Sequence, residues 1–206
     1  RLPHPESDSI KNNLNINKIF QNYFKIFKSF FSKPNALAAI SFMLLYRLGE
    51  AQLSKIAPLF MLDSIEKGGL GLSNIELGFI NGTIGLILLT MGGILGGFLI
   101  SRHGLKHWIF WMALAMKFPD FVYVYMASAQ PESFLLISSL IALEQFGYGF
   151  GFTAYLVYTM LYSEGEHKTA HYAICTGFMA LGMMLPGMVS GMLQNILRAF
   201  IGLFCS

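Results

Sequence analysis

The sequence predicts an all-α, polytopic membrane protein, and three observations support this fold class. Hydrophobic residues make up 54% of the 206 residues and charged residues only 12%, whereas about a quarter of the residues in a soluble domain are charged. The chain is rich in glycine (21) and phenylalanine (19), as polytopic helical membrane proteins are. It also contains several apolar stretches that reach the roughly 20 residues a helix needs to cross the hydrocarbon core.

The N-terminal segment, residues 1–33, is predicted to be a cytoplasmic linker that ends in an amphipathic helix. Residues 1–17 are polar, and residues 18–33 alternate aromatic side chains with lysines. Phe20, Phe24, Phe27 and Phe31 recur at helical spacing. A helix with one aromatic and one basic face is expected to lie in the membrane surface.

The remaining residues, 34–206, are predicted to form a transmembrane region with about five spanning helices. Their approximate ranges are 35–62, 76–100, 107–128, 133–161 and 170–194. Apolar residues after Arg198 are consistent with the start of a sixth helix that is cut short. Because the chain starts with Arg1 and stops within an apolar run, we interpret it as a piece of a longer protein.

The lysines and arginines predict the orientation of these helices. Basic residues are enriched on the cytoplasmic side of membrane proteins. The N-terminal segment and the loops near 101–107 and 163–169 fall on one side, which holds Lys18, Lys25, Lys28, Lys33, Arg102, Lys106 and Lys168. The other side holds only Lys67 and Arg198. The first side is therefore predicted to be cytoplasmic.

Five pairs of glycines four residues apart predict close helix contacts. They are Gly78/Gly82, Gly92/Gly96, Gly93/Gly97, Gly147/Gly151 and Gly187/Gly191. Small residues at this spacing let backbones touch where lipid provides no hydrophobic drive. The glycine pairs fit two roles. They either serve only to pack the bundle, or they form smooth helix surfaces that can slide or rock during transport.

Arg47 and Glu50 are ionisable residues inside the first predicted span. Three positions apart, they share a helix face. Ionisable side chains at membrane depth are costly and tend to mark pathways. The two residues are either a structural ion pair or a cavity-lining pair that meets a charged substrate or responds to a proton.

Lys117 and Asp120 form a second such pair in the third predicted span, and Pro119 lies between them. A proline inside a helix removes a backbone donor and bends the helix. The pattern fits either a paired charge beside a kink or a hinge that lines the pathway.

Glu144, in the fourth predicted span, begins a polar stripe. At 100° per residue the stripe continues through Tyr148, Gly151, Tyr155, Tyr158 and Tyr162. Tyrosine rings offer flat faces for sugars and hydroxyls for hydrogen bonds. We expect Glu144, Tyr148 and Tyr155 to line a wet cavity. Packing is the alternative, and the two outer tyrosines fit an interfacial aromatic belt.

Several other kinds of function are not supported by the sequence. It contains no hydrolase triad elements, zinc-protease motif or phosphate-binding loop. We therefore predict no enzyme activity, no cofactor and no metal. Cys175 and Cys205 suggest neither a disulfide nor a metal site, and no basic stripe predicts a nucleic-acid partner. Four histidines lie near the predicted cytoplasmic loops and are expected to be solvated: His103, His107, His167 and His171.

The loop after the second predicted span resembles a motif of the major facilitator superfamily. That cytoplasmic loop motif reads Gly-x-x-x-Asp-Arg/Lys-x-Gly-Arg/Lys-Arg/Lys, and its counterparts here are Gly97, Arg102, Gly104 and Lys106. Ser101 occupies the acidic position, so the resemblance extends to the shape and basic charge of the loop and not to a gating acid.

Four further segments resemble AmpG-type permeases of this superfamily, in the same order and at similar spacing. Leu45–Ala51 is similar to a Leu-Tyr-Lys-Leu-Gly-Asp-Ala signature, and residues 73–85, 143–151 and 169–187 are similar to the elements that follow it. Arg47, Glu50 and Glu144 match polar signature positions. Lys117 and Asp120 match no position of the family, so their expected role rests on their chemistry alone.

The resemblance implies most of the second six-helix half of a twelve-helix transporter in the bacterial inner membrane. It implies proton-linked import of muropeptide-like solutes, with the lipid bilayer, the solute, protons and the missing N-terminal half as partners. The acetyl-CoA transporters are similar to this family. The alternative is a non-transporting receptor or scaffold, or a half-transporter that pairs with another subunit.

Overall fold

The computed structural model describes residues 16–204, and side-chain packing for residues 20–186 and 188. This part of the chain is helical, with short connections. The α-helices are α1 (Ile16–Phe31), α2 (Ala36–Tyr46), α3 (Leu48–Leu62), α4 (Asn74–Phe79), α5 (Leu86–His103), α6 (Leu105–Lys117), α7 (Phe121–Ala129), α8 (Phe134–Ser163) and α9 (Lys168–Phe204). Most of the predicted linker, residues 1–15, lies outside the described residues.

Three helical segments are long and apolar enough to cross a membrane. They are Asn74–His103, Leu105–Ala129 and Phe134–Ser163, and they correspond to the predicted spans 76–100, 107–128 and 133–161. Large apolar side chains cover much of their outer surface, among them Phe98, Phe110 and Leu135. Such a surface suits lipid and not water. The predicted all-α, polytopic membrane fold is confirmed.

The first and fifth predicted spans differ from expectation. The range 35–62 is not one helix, because the chain breaks at Arg47 between α2 and α3. The predicted loop near 195–198 and a separate helix after Arg198 are wrong, since α9 runs without interruption to Phe204. Apolar composition predicts that a segment is buried in lipid but does not predict where its helix is interrupted.

Local side chains define the ends of the spanning segments. Ser73 caps α4, where its hydroxyl accepts from the Glu76 amide and the Glu76 carboxylate accepts from the Ser73 amide. Ser133 caps α8 through the Leu136 amide. Gly104 separates α5 from α6 with φ +80°, a left-handed value that glycine tolerates best.

α8 lies at the centre of the bundle because its glycines let α5 and α6 approach. A Cβ on Gly149 would collide with the Leu89 backbone of α5, and a Cβ on Gly147 with the Ala115 carbonyl of α6. On α5, Gly92 makes the matching approach to Phe146 of α8. The pairs Gly92/Gly96 and Gly147/Gly151 are therefore confirmed as packing positions. Gly78, Gly82 and Gly97 have open space where a Cβ would be, and Gly187/Gly191 lie where packing is not described.

The buried core is rich in methionine. The buried methionines are Met43, Met61, Met112, Met116 and Met126. Their flexible side chains fill the irregular gaps between helices that glycine brings close together. Met61 and Met126 belong to one buried cluster with Ile137 and Ile141, and this cluster joins α3, α7 and α8.

Candidate functional site

Glu50 and Glu144, far apart in sequence, line one cavity of about 190 Å³. Four segments form it: α3, the turn before α5, α7 and α8. Its polar lining consists of Glu50, Ser54, Asn81, Tyr123, Glu144 and Gln145, and the apolar remainder includes Pro58 and Met61. A small group of polar side chains in an otherwise apolar wall is typical of a ligand-binding site.

Glu144 is the deepest acidic residue of this cavity, with 7% of its surface exposed. Its carboxylate accepts a hydrogen bond from the Gln145 amide (3.0 Å), and the Tyr123 hydroxyl lies beside it. No cation lies within 4 Å of Glu144 among the described residues, so no ion pair neutralises a charge on this carboxyl.

Arg47 occupies the break between α2 and α3 and is 6% exposed. Its Nη2 atom donates to the Tyr148 hydroxyl (2.7 Å), and its guanidinium carbon lies 4.7 Å from the centre of the Phe152 ring. A cation over an aromatic face is stabilised by the ring quadrupole. The break thus directs Arg47 toward α8, and no direct ion pair with Glu50 forms.

Lys117 and Asp120 make the one ion pair shorter than 4 Å in the part of the chain that the structure describes. Lys117 Nζ and Asp120 Oδ2 are 3.8 Å apart, and both side chains are partly exposed, 37% and 29%. Pro119 lies between them in a short 3₁₀ turn that separates α6 from α7. Arg47, Lys117 and Asp120 are the charged neighbours of Glu50, so the structure brings all five predicted charges together.

The tyrosine stripe of α8 divides into two parts. Tyr148 belongs to the charged cluster through Arg47 but is not among the residues that line the cavity. Tyr155, by contrast, is fully buried and donates to the Met43 carbonyl (3.1 Å), so it does not line the cavity as expected. Tyr158 and Tyr162 pack on aromatic rings of neighbouring helices, Phe42 and Phe30 respectively. Helical spacing placed these residues on one face, but α2 and α1 cover the outer part of that face.

Comparison with known proteins agrees with the sequence signatures. The chain is 28% identical over 178 residues to "Putative transporter AmpG 2" of Rickettsia typhi, covering 84% of this chain and 40% of that protein. It is 24% identical over 195 residues to an AmpG 4 protein of Rickettsia felis, with coverage of 93% and 45%. It is 23% identical over 164 residues to the anhydromuropeptide permease of Escherichia coli K12, with coverage of 80% and 32%.

The chain resembles AmpG-type permeases. It spans less than half the length of each of these curated relatives. No family model matches the chain, and no solved structure matches it.

The loop that resembles the major facilitator motif forms a tight turn outside the cavity. Arg102 lies in the last turn of α5 with its guanidinium carbon 5.2 Å from the Phe98 ring centre, and Lys106 is the second residue of α6. Gly104 provides the turn itself. A Cβ on Gly97 would meet no neighbouring side chain or backbone within 4 Å. The predicted sharp, basic turn is present, and packing does not require Gly97.

Four cavity residues were not singled out from the sequence as site residues: Ser54, Asn81, Tyr123 and Gln145. Asn81 lies in a π-helical turn, Ile80–Gly85, between α4 and α5; such turns often occur at functional sites. An amide inside a predicted span was a signal that could have identified Asn81. Across the described residues, no group of three or more His, Cys, Asp or Glu side chains is arranged to hold a metal.

Proposed function

We propose that this chain forms part of a secondary active transporter of the AmpG type that carries muropeptide-like solutes, together with protons, across the bacterial inner membrane. The observation that supports this most strongly is the shared cavity of Glu50 and Glu144, which α3 forms together with three segments of membrane-spanning length. Acidic residues at membrane depth commonly serve as proton relays or solute sites in transporters. The similarity to an anhydromuropeptide permease suggests the solute class.

The lining of the cavity fits a solute that carries many hydroxyl groups. Asn81, Gln145 and Tyr123 offer donors and acceptors for sugar hydroxyls. At about 190 Å³ the cavity holds only a part of such a solute. In the proposed mechanism the other half of the transporter provides the opposite wall, and rocking of the two halves exposes the site to each side in turn.

The decisive experiment measures uptake of labelled anhydromuropeptide by membrane vesicles that contain the product of the complete gene. We expect uptake that an uncoupler abolishes. Glu144→Gln should reduce uptake at least tenfold, because the amide keeps the size of the side chain but cannot carry a proton. Glu132→Gln, in the exposed loop before α8, is the matched control and should transport normally.

Two results would contradict the proposal in different ways. Wild-type uptake by Glu144→Gln would remove this carboxyl from the proton and solute pathway. Absence of uptake by an inserted wild-type protein would indicate a solute of another class, such as acetyl-CoA-like molecules. It would otherwise favour a receptor, a scaffold or a half-transporter that needs another subunit.

A further inference from the structure

A groove of about 500 Å³ lies between α1 and the N-terminal part of α9. Its lining is almost wholly apolar, and it opens to the outside of the bundle because Tyr23 and Phe27 of α1 are exposed. Small residues form its floor on α9, among them Ala170, Ala173 and Gly177. A Cβ on Gly177 would meet nothing within 4 Å. The groove is therefore an open slot that no described part of the chain fills.

α1 is fixed against α9 beside this groove. Phe30 of α1 is fully buried and stacks on Phe178 of α9, with ring centres 6.2 Å apart. His171 of α9 is only 4% exposed, and its Nε2 atom lies 2.9 Å from the Ser29 hydroxyl oxygen, within hydrogen-bond distance. The expectation that His171 is solvated is therefore wrong, because α1 covers it. These contacts give the groove two firmly placed walls.

The length of the groove matches the depth of one lipid leaflet. Its residues on α9 run from Ala170 to Leu181, which is about 16 Å along a helix axis. Half of the hydrocarbon core of a bilayer is about 15 Å thick. The groove starts in the first turn of α9, beside the loop near 163–169 that is predicted to lie outside the membrane. An apolar slot of this length and position fits a single acyl chain, and it offers almost no hydrogen-bonding groups to a sugar or an extended peptide.

The charge of α1 favours an anionic lipid. Residues 16–36 contain four lysines and no aspartate or glutamate. Lys25 and Lys28 are exposed and make no ion pair within the described chain. At 100° per residue they lie on the side of α1 opposite to Tyr23 and Phe27. An interfacial helix turns its apolar face to the acyl chains and its basic face to the headgroups, and clustered lysines at that level attract anionic lipids.

We propose that the groove between α1 and α9 binds an anionic phospholipid of the adjacent leaflet. One acyl chain lies in the groove along α9, and Lys25 and Lys28 hold the negatively charged headgroup at the membrane surface. The inference concerns a lipid and not the transported solute, so it holds or fails independently of the proposed transport function.

The test measures binding of phosphatidylglycerol and of phosphatidylcholine with the same acyl chains to the purified product of the complete gene, by native mass spectrometry. The wild-type protein should bind phosphatidylglycerol about tenfold more tightly, since each lysine near an anionic headgroup contributes to the attraction. Lys25→Gln combined with Lys28→Gln should remove most of this preference and leave phosphatidylcholine binding unchanged. Lys67→Gln, at an exposed position away from α1, is the matched control and should keep the preference.

A second variant tests the acyl chain. Gly177→Leu places a side chain in the open groove and should weaken binding of both lipids about tenfold, because exclusion of two methylene groups already has that effect. Gly97→Leu, at an equally open position of α5, should bind both lipids as the wild-type protein does. Both substitutions fall in open space, so both variants are expected to fold.

A photoreactive residue in place of Gly177 identifies the occupant directly. In vesicles made of the two lipids in equal parts, it should cross-link to lipid. Cross-links to protein would show that another part of the complete protein or a second copy covers the groove, and would overturn the proposal. Equal affinity of the wild-type protein for the two lipids would overturn the choice of an anionic lipid. Unchanged binding by Gly177→Leu would show that the acyl chain does not lie in this groove.

Discussion

Glu144 and Tyr155 show how far sequence reasoning reaches at the scale of single residues. Both were expected in the cavity because they share a stripe of α8. Only Glu144 lines the cavity. The side chain of Tyr155 is covered by α2, where its hydroxyl donates a hydrogen bond to the Met43 carbonyl. Helical periodicity predicts which way a side chain points but not which neighbour covers it. The five charges were predictable because charge at membrane depth is rare.

The burial of Tyr155 leads to a prediction about Tyr155→Phe. The substitution removes one buried hydrogen bond, so the free energy of unfolding should fall by about 1 kcal/mol. KM for uptake should stay within about twofold, because the hydroxyl does not reach the cavity. Thermal unfolding in detergent and vesicle uptake measure the two quantities. Tyr125→Phe, at an exposed position, controls for loss of a hydroxyl. A large change in KM without loss of stability would contradict this prediction and show that Tyr155 takes part in the solute pathway.

At the scale of elements, glycine spacing predicted that helices approach closely but not which pairs do so. Gly92 and Gly147 lie at backbone contacts, while a Cβ on Gly78 or Gly82 would meet nothing within 4 Å. The spacing is the same in both cases, and only the positions of neighbouring helices separate them. The break at Arg47 and the π-helical turn at Ile80–Gly85 were likewise beyond sequence reasoning, because hydropathy does not depend on backbone hydrogen-bond register.

Gly149→Ala should therefore destabilise the bundle, whereas Gly97→Ala should not. The new methyl group at 149 meets the Leu89 backbone, which cannot rotate away, so α5 and α8 must separate. Overpacking of this kind lowers stability by about 1–3 kcal/mol. At 97 the space is open, and alanine favours a helix by up to about 1 kcal/mol relative to glycine. Melting temperatures in detergent should move in opposite directions, and equal shifts would show that α5 and α8 are not in close contact.

At the scale of the whole molecule, contacts between loops agree with the predicted division of the loops into two sides. Lys33 Nζ donates to the carbonyls of Tyr162 (2.6 Å) and Glu164 (2.8 Å), which joins the N-terminal segment to the loop after α8. At another junction, the Gln130 side-chain amide donates to the Gly68 carbonyl (3.0 Å). Each contact joins segments that the distribution of basic residues had assigned to the same side.

The distribution of basic residues predicts that the end that carries Arg102 and Lys106 faces the cytoplasm. Single cysteines introduced at Lys67 and at Lys106, in a protein whose own cysteines are replaced, would test it with a membrane-impermeant maleimide. Both positions are exposed, so burial does not limit labelling. In intact spheroplasts Lys67→Cys should react and Lys106→Cys should not, and both should react after permeabilisation. The reverse pattern would place Arg102 and Lys106 outside the cell. The location of the basic loop would then contradict that of the cytoplasmic motif that it resembles. The contacts between helices would be unchanged.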